Sequence, residues 1–172
     1  MTKENEKLFE ACITGNVADL KEAIEKCDDL NIKNKEGQTP LCIVAKCRYD
    51  LVKLLVEKGA DVNLKSDEII SPLHWAVEYD NEEIVEYLLS KGADIYSRDH
   101  SYETPLHWAA WTGHHKSASL LLANGDNPLV KNRGGFTPLD LAKRQGHQKV
   151  ITLFEENLLN RTEGQVRHHS HS

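Results

Sequence analysis

One short phrase recurs four times along the chain: Thr39-Pro40-Leu41-Cys42, Ser71-Pro72-Leu73-His74, Thr104-Pro105-Leu106-His107 and Thr137-Pro138-Leu139-Asp140, at steps of 32, 33 and 33 residues. A fixed period near 33 with this core predicts stacked helix pairs, each too small to bury its own apolar face. Such stacks present long surfaces and rarely carry catalytic centres of their own, so the period bears on function before any single residue does.

A net charge of −6, with 28% of residues charged, argues against a general nucleic-acid binder, which needs basic surface to displace phosphate counterions. No apolar run approaches the ~20 residues of a membrane helix. The stretch Met1 to Glu10 alternates Lys and Glu and reads as no export signal. Cys12, Cys27, Cys42 and Cys47 match no zinc spacing. They are expected to be reduced thiols in a cytoplasmic, intracellular setting.

Thr104 to Asp126 displays the grammar of one unit. Thr104 suits an N-cap and Pro105 the first helical position. Leu106, Ala109 and Ala110 make a small-residue face, and Gly113 ends the helix. A second helix carries Leu120, Leu121 and Leu122 and stops at Gly125. Lys58-Gly59-Ala60-Asp61 and Lys91-Gly92-Ala93-Asp94 close the second helices of earlier units in the same way.

On these motifs the chain, over about residues 4 to 158, resembles the ankyrin repeat family. The resemblance implies an all-α ankyrin-repeat solenoid of about five helix-turn-helix units with projecting loop fingers, occupying residues 1–160. The units are read as an N-cap at 4–33, internal units at 34–66, 67–98 and 99–131, and a C-cap at 132–160. The second and third units lack the glycine between helices, reading Lys46-Cys47-Arg48-Tyr49-Asp50 and Glu78-Tyr79-Asp80-Asn81. The glycine before Thr-Pro, present as Gly37 and Gly135, is Ile69 and Tyr102 in the middle units. Residues 161–172 are expected to be a disordered polar tail, and His168, His169 and His171 on it an incidental chelator at most.

No phosphate loop, His-Glu-x-x-His or nucleophile elbow is present, so no catalytic, cofactor or metal residue is assigned and the chain is read as a non-enzyme. His74, His107, His114 and His147 are read as structural hydrogen-bonding groups, because buried polar atoms normally satisfy backbone neighbours. Trp75 and Trp108, each directly after the phrase histidine, are read as packed within the stack.

Family members bind proteins through a concave side made of finger tips and first helices, and the resemblance carries that surface onto named positions. Lys33, Lys65, Arg98 and Lys131 hold one repeat position four times running and suggest a basic ladder. With packed helices roughly 8–10 Å apart, such a ladder would steer an acidic partner. Ile70, Tyr79, Tyr102, Trp111 and Phe136 are large apolar groups at positions expected to face solvent. Glu78, Thr112, Arg133 and Arg144 complete the expected partner-binding set, centred on Tyr79 and Trp111. The expected function is a monomeric protein-interaction module whose partner is another protein with an acidic and apolar epitope. The alternative is a regulatory or targeting subunit that inhibits or localises a partner enzyme.

Overall fold

Each repeated phrase starts a helix by the same local chemistry. In the computed structural model, which describes residues 1–170, Thr39, Ser71, Thr104 and Thr137 are N-caps whose hydroxyls accept the backbone N–H three residues on. The proline after each sits where its missing N–H costs nothing. The resulting helices are α3 (Pro40–Val44), α5 (Pro72–Glu78), α7 (Pro105–Thr112) and α9 (Pro138–Gln145). Each is followed by a partner: α4 (Tyr49–Glu57), α6 (Glu82–Ser90), α8 (His115–Ala123) and α10 (Gln148–Ser170). A fifth pair, α1 (Lys3–Thr14) and α2 (Val17–Lys26), precedes them, and no strand occurs among the described residues.

The second helices α4, α6 and α8 close on the glycine turns. Ala60, Ala93 and Asp126 donate their backbone N–H groups to Leu55, Leu88 and Leu121, while Gly59, Gly92 and Gly125 hold φ of 110°, 90° and 91°. Apolar side chains of successive pairs merge into one continuous core running through Leu8, Leu20, Leu51, Leu73, Leu88, Leu106, Leu121 and Phe154. No pair could bury this surface alone, so stacking supplies most of the stability.

Two expectations need correcting. Ile70 does not face solvent: it is buried, and its neighbour Ile69 is the exposed residue. The cause is the backbone, because Ile69 takes the left-handed glycine position at φ 64° and so turns Ile70 inward. The chain after Arg161 also differs from the disordered tail expected there. Helix α10 runs on to Ser170, with Arg161 donating through Nε to Asn157 Oδ1 at 2.9 Å and through Nη2 to the carbonyl of Asp126. His171 lies outside the described residues.

Candidate functional site

The four projecting fingers are tight turns closed by the same backbone bond: Asn34 N–H to Gln38 O, Ser66 to Ile70, Asp99 to Glu103, and Asn132 to Phe136, at 2.9–3.1 Å. A side-chain oxygen at the first position adds further bonds. Asp99 Oδ1 accepts from the N–H groups of Ser101 and Glu103, each at 2.9 Å. Gly37 and Gly135 hold φ of 74° and 84° in these turns, and Ile69 and Tyr102 hold 64° and 60°. The turn shape therefore survives loss of its glycine, at a cost of roughly 1–2 kcal/mol per residue for an L side chain.

Residues of the first helices tie one unit to the next finger. His74 Nδ1 faces the N–H and hydroxyl of Ser71 at 3.3 and 2.7 Å, and its Nε2 lies 2.8 Å from the carbonyl of Glu103. A carbonyl only accepts and an N–H only donates, so the ring carries its proton on Nε2 and is neutral. Burial holds His74 down at about 4. His107 repeats the pattern with Thr104 and the carbonyl of Phe136, and burial lowers it too. Cys42 occupies the equivalent place, its thiol 3.7 Å from the carbonyl of Ile70. At the inter-helix turns, His114 and His147 donate to the carbonyls of Glu78 and Trp111 at 2.9 and 3.0 Å. All four histidines thus spend a ring nitrogen on a backbone carbonyl of a neighbouring unit.

The cysteines are free thiols. Burial pushes Cys12 up to about 12 and raises Cys42 as well, which leaves both protonated and unreactive.

Among the surface residues singled out in the sequence, Glu78, Trp111 and Thr112 come together. They line a groove of about 540 Å³ with Trp75, Trp108, Asp99 and Glu103. The groove is bounded by α5 and α7 and by the finger between them. Tyr79, at the end of α5, is 56% exposed but is not part of the groove lining. Trp111 is 53% exposed. Trp75 and Trp108 pack against the core, as expected, but each is only half-buried and leaves part of its ring uncovered. Their rings meet edge to face at 6.0 Å, and Trp108 is fixed by its indole N–H donating to Asp99 Oδ2 at 3.2 Å. The missed signal was the run of tryptophans at 75, 108 and 111, the only three in the chain.

The basic column is partly engaged within the protein. Lys33 pairs with Asp67 at 2.9 Å, and Lys65 donates to the carbonyl of Arg98 at 2.8 Å. Arg98 and Arg133 lie over the Tyr102 ring at 4.4 and 4.2 Å, and Arg144 lies over Phe136 at 4.7 Å. Lys131 is exposed. Tyr102 and Phe136 are 40% and 38% exposed, so these rings are shared between solvent and arginine.

No helix among the described residues is long and apolar enough to cross a membrane. A family model for ankyrin repeats matches residues 8–99 and 97–162. A stretch of 73 residues is 42% identical to α-latrocrustotoxin-Lt1a of Latrodectus tredecimguttatus, covering 41% of this chain and 5% of the toxin. A fowlpox virus protein named as an ankyrin repeat protein is 38% identical over 69 residues, 40% of this chain and 9% of its own length. A Rickettsia bellii protein so named is 33% identical over 76 residues, 40% of this chain and 45% of its own length. The chain thus spans less than half the length of each of these relatives. Ankyrin repeats are generally protein–protein interaction modules rather than enzymes. With its stacked helix pairs, its Thr-Pro caps and a family match over most of its length, the chain belongs to the ankyrin repeat family.

Proposed function

We propose that this chain is a docking module that holds a partner protein on the concave face formed by its first helices and fingers. The observation that carries the reading is the exposure of Trp111 and Tyr79, about half of each, beside the groove between α5 and α7. Large aromatic side chains left in water gain most by being covered, and interface hot spots favour Trp, Tyr and Arg. Covering the exposed half of Trp111 is worth about 2–3 kcal/mol at ~25 cal/mol per Å².

Charge divides this face. Arg98, Lys131, Arg133 and Arg144 bring cations to the finger side, while Glu78 and Glu103 bring carboxylates to the groove. An epitope that presents acidic groups to the finger side and apolar surface to the exposed Tyr79 and Trp111 rings beside the groove suits this division. Cross-unit bonds from His74 and His107 hold the fingers in place before docking, which keeps the ordering cost of binding low. The module works as a monomer, and in a reducing, cytoplasmic compartment, the latter reading supported by its four free thiols.

The test is a pull-down from native lysate, run beside a Tyr79→Ala/Trp111→Ala variant whose circular dichroism and melting match the wild type. The proposal expects a partner that the wild type retains and the variant loses. A partner retained equally by both moves docking off this face.

A further inference from the structure

The groove between α5 and α7 combines two features that together select a ligand chemistry. Trp75, Trp108 and Trp111 all line it, and so do the carboxylates of Glu78, Asp99 and Glu103. We propose that this groove receives a basic side chain, an arginine or lysine of the docked partner, with its cationic head between the indole faces and the carboxylates of Glu78 and Glu103. The inference rests on the docking reading for the source of that side chain and adds what its central pocket recognises.

The three carboxylates are not equivalent. Asp99 is buried and already accepts from two backbone N–H groups and the Trp108 indole, so it anchors the wall. Glu103 is half-buried and accepts from Asn132 Nδ2 through Oε1 at 3.3 Å. Its carboxyl is pushed up chiefly by burial, the behaviour of an acid short of counter-charge. Glu78 is half-buried at the end of α5. An acidic side chain entering here would meet like charge. A purely apolar one would strip water from the carboxylates without replacing it, which is costly. A cation satisfies both walls.

The chain's own cations show that rings on this face attract positive charge. Lys46 sits 4.6 Å from the Trp75 ring centre, two arginines flank Tyr102, and Arg144 covers Phe136. Among the described residues, Trp108 and Trp111 carry no such cation, and tryptophan is the strongest of these rings for a cation. Trp108 cannot readily swing away, because its indole N–H is held by Asp99. The site is therefore formed before the ligand arrives.

Because the chain holds only three tryptophans and all of them line the groove, their indole N–H resonances report on this site alone. The experiment titrates the full chain with the peptides acetyl-Gly-Arg-Gly-amide and acetyl-Gly-Gln-Gly-amide and follows the three indole signals. The expected result is a saturable shift of all three with the arginine peptide, half-complete near ~10 mM, as suits one small contact. The glutamine peptide should bind at least about tenfold more weakly, and a Glu78→Gln/Glu103→Gln variant should weaken the arginine peptide about fivefold while retaining the wild-type melt. Equal response to both peptides, or an unchanged affinity in the double variant, overturns the inference. If the double variant is unfolded, the single Glu78→Gln variant should still weaken the arginine peptide, and unchanged affinity there counts against the inference equally. Failure here, with the partner still lost by the Tyr79→Ala/Trp111→Ala variant, would leave docking intact and remove only the cation pocket. A cation response alongside a partner indifferent to that variant would do the reverse.

Discussion

Removing the titration of His74 should change how the stability of this stack depends on pH. The ring is fully buried and neutral, with Nδ1 accepting from Ser71 and Nε2 donating to the carbonyl of Glu103. Protonating Nδ1 would set a donor against the Ser71 N–H and place a charge in the core. The folded ring titrates at about 4 and the unfolded one near 6.5, so its contribution is present above pH 6.5 and is lost as pH falls through the folded value. At pH 5 the unfolded chain has taken up the proton and the folded one has not, which costs the fold about 2 kcal/mol relative to pH 7. His107 acts in the same direction.

Asp126 opposes them. Burial raises its carboxyl to about 7, so it weakens the fold as pH climbs from about 4 through 7. Over pH 5–7 this cost is about 2 kcal/mol, which flattens the wild-type profile. The assay must therefore be a difference: urea unfolding of wild type and His74→Gln, followed by circular dichroism at both pH values. Glutamine can keep the bond to Glu103 and cannot titrate. At pH 7 the variant should be the less stable, by roughly 1–3 kcal/mol for a perturbed buried hydrogen-bond network. At pH 5 that gap should shrink by about 2 kcal/mol. A gap of the same size at both pH values would refute the assignment of a neutral, buried His74.

Asp126→Asn should stabilise the protein at pH 8 by a few kcal/mol in thermal melts and leave a profile that falls more steeply toward acid, because one buried carboxylate oxygen lacks a protein partner. Ile69→Gly should raise stability by about 1 kcal/mol, since Ile69 is exposed and β-branched at φ 64°; a loss would mean that its side chain packs more than its exposure implies. Gly113→Ala should cost at least about 2 kcal/mol, because φ is 80° and the added methyl would lie 2.6 Å from His147 Nδ1, displacing the ring that holds the Trp111 carbonyl.

Much of this was legible in the repeats. Helix starts followed from Thr-Pro, and the histidines' structural role followed from their fixed place after that phrase, because both depend on bonds within or between adjacent units. The exchange of Ile70 for Ile69 was not legible. Sequence marks Ile69 as the residue in the glycine slot, but only the left-handed φ shows which of two neighbouring isoleucines turns outward. The groove was half visible. Trp111 stands out in the sequence as an exposed aromatic, whereas Trp75 and Trp108 fit the core period, and their half-burial, with the Trp108 indole held by Asp99, is visible only in the structure. The extension of α10 had no apolar period to announce it. Once a helix is under way, each further residue adds a hydrogen bond at little cost, and Arg161 finds a tertiary acceptor at Asp126 that spacing alone could not reveal.

The central claim is that a partner docks on the face made by the first helices and fingers. Hydrogen exchange of the isolated complex, compared with the free chain, tests it most directly. The account predicts added protection in the finger turns around Asp99–Glu103 and at the end of α7 near Trp111, with α4, α6 and α8 unchanged. Protection confined to α4, α6 and α8, with the finger turns exchanging as in the free chain, would contradict it.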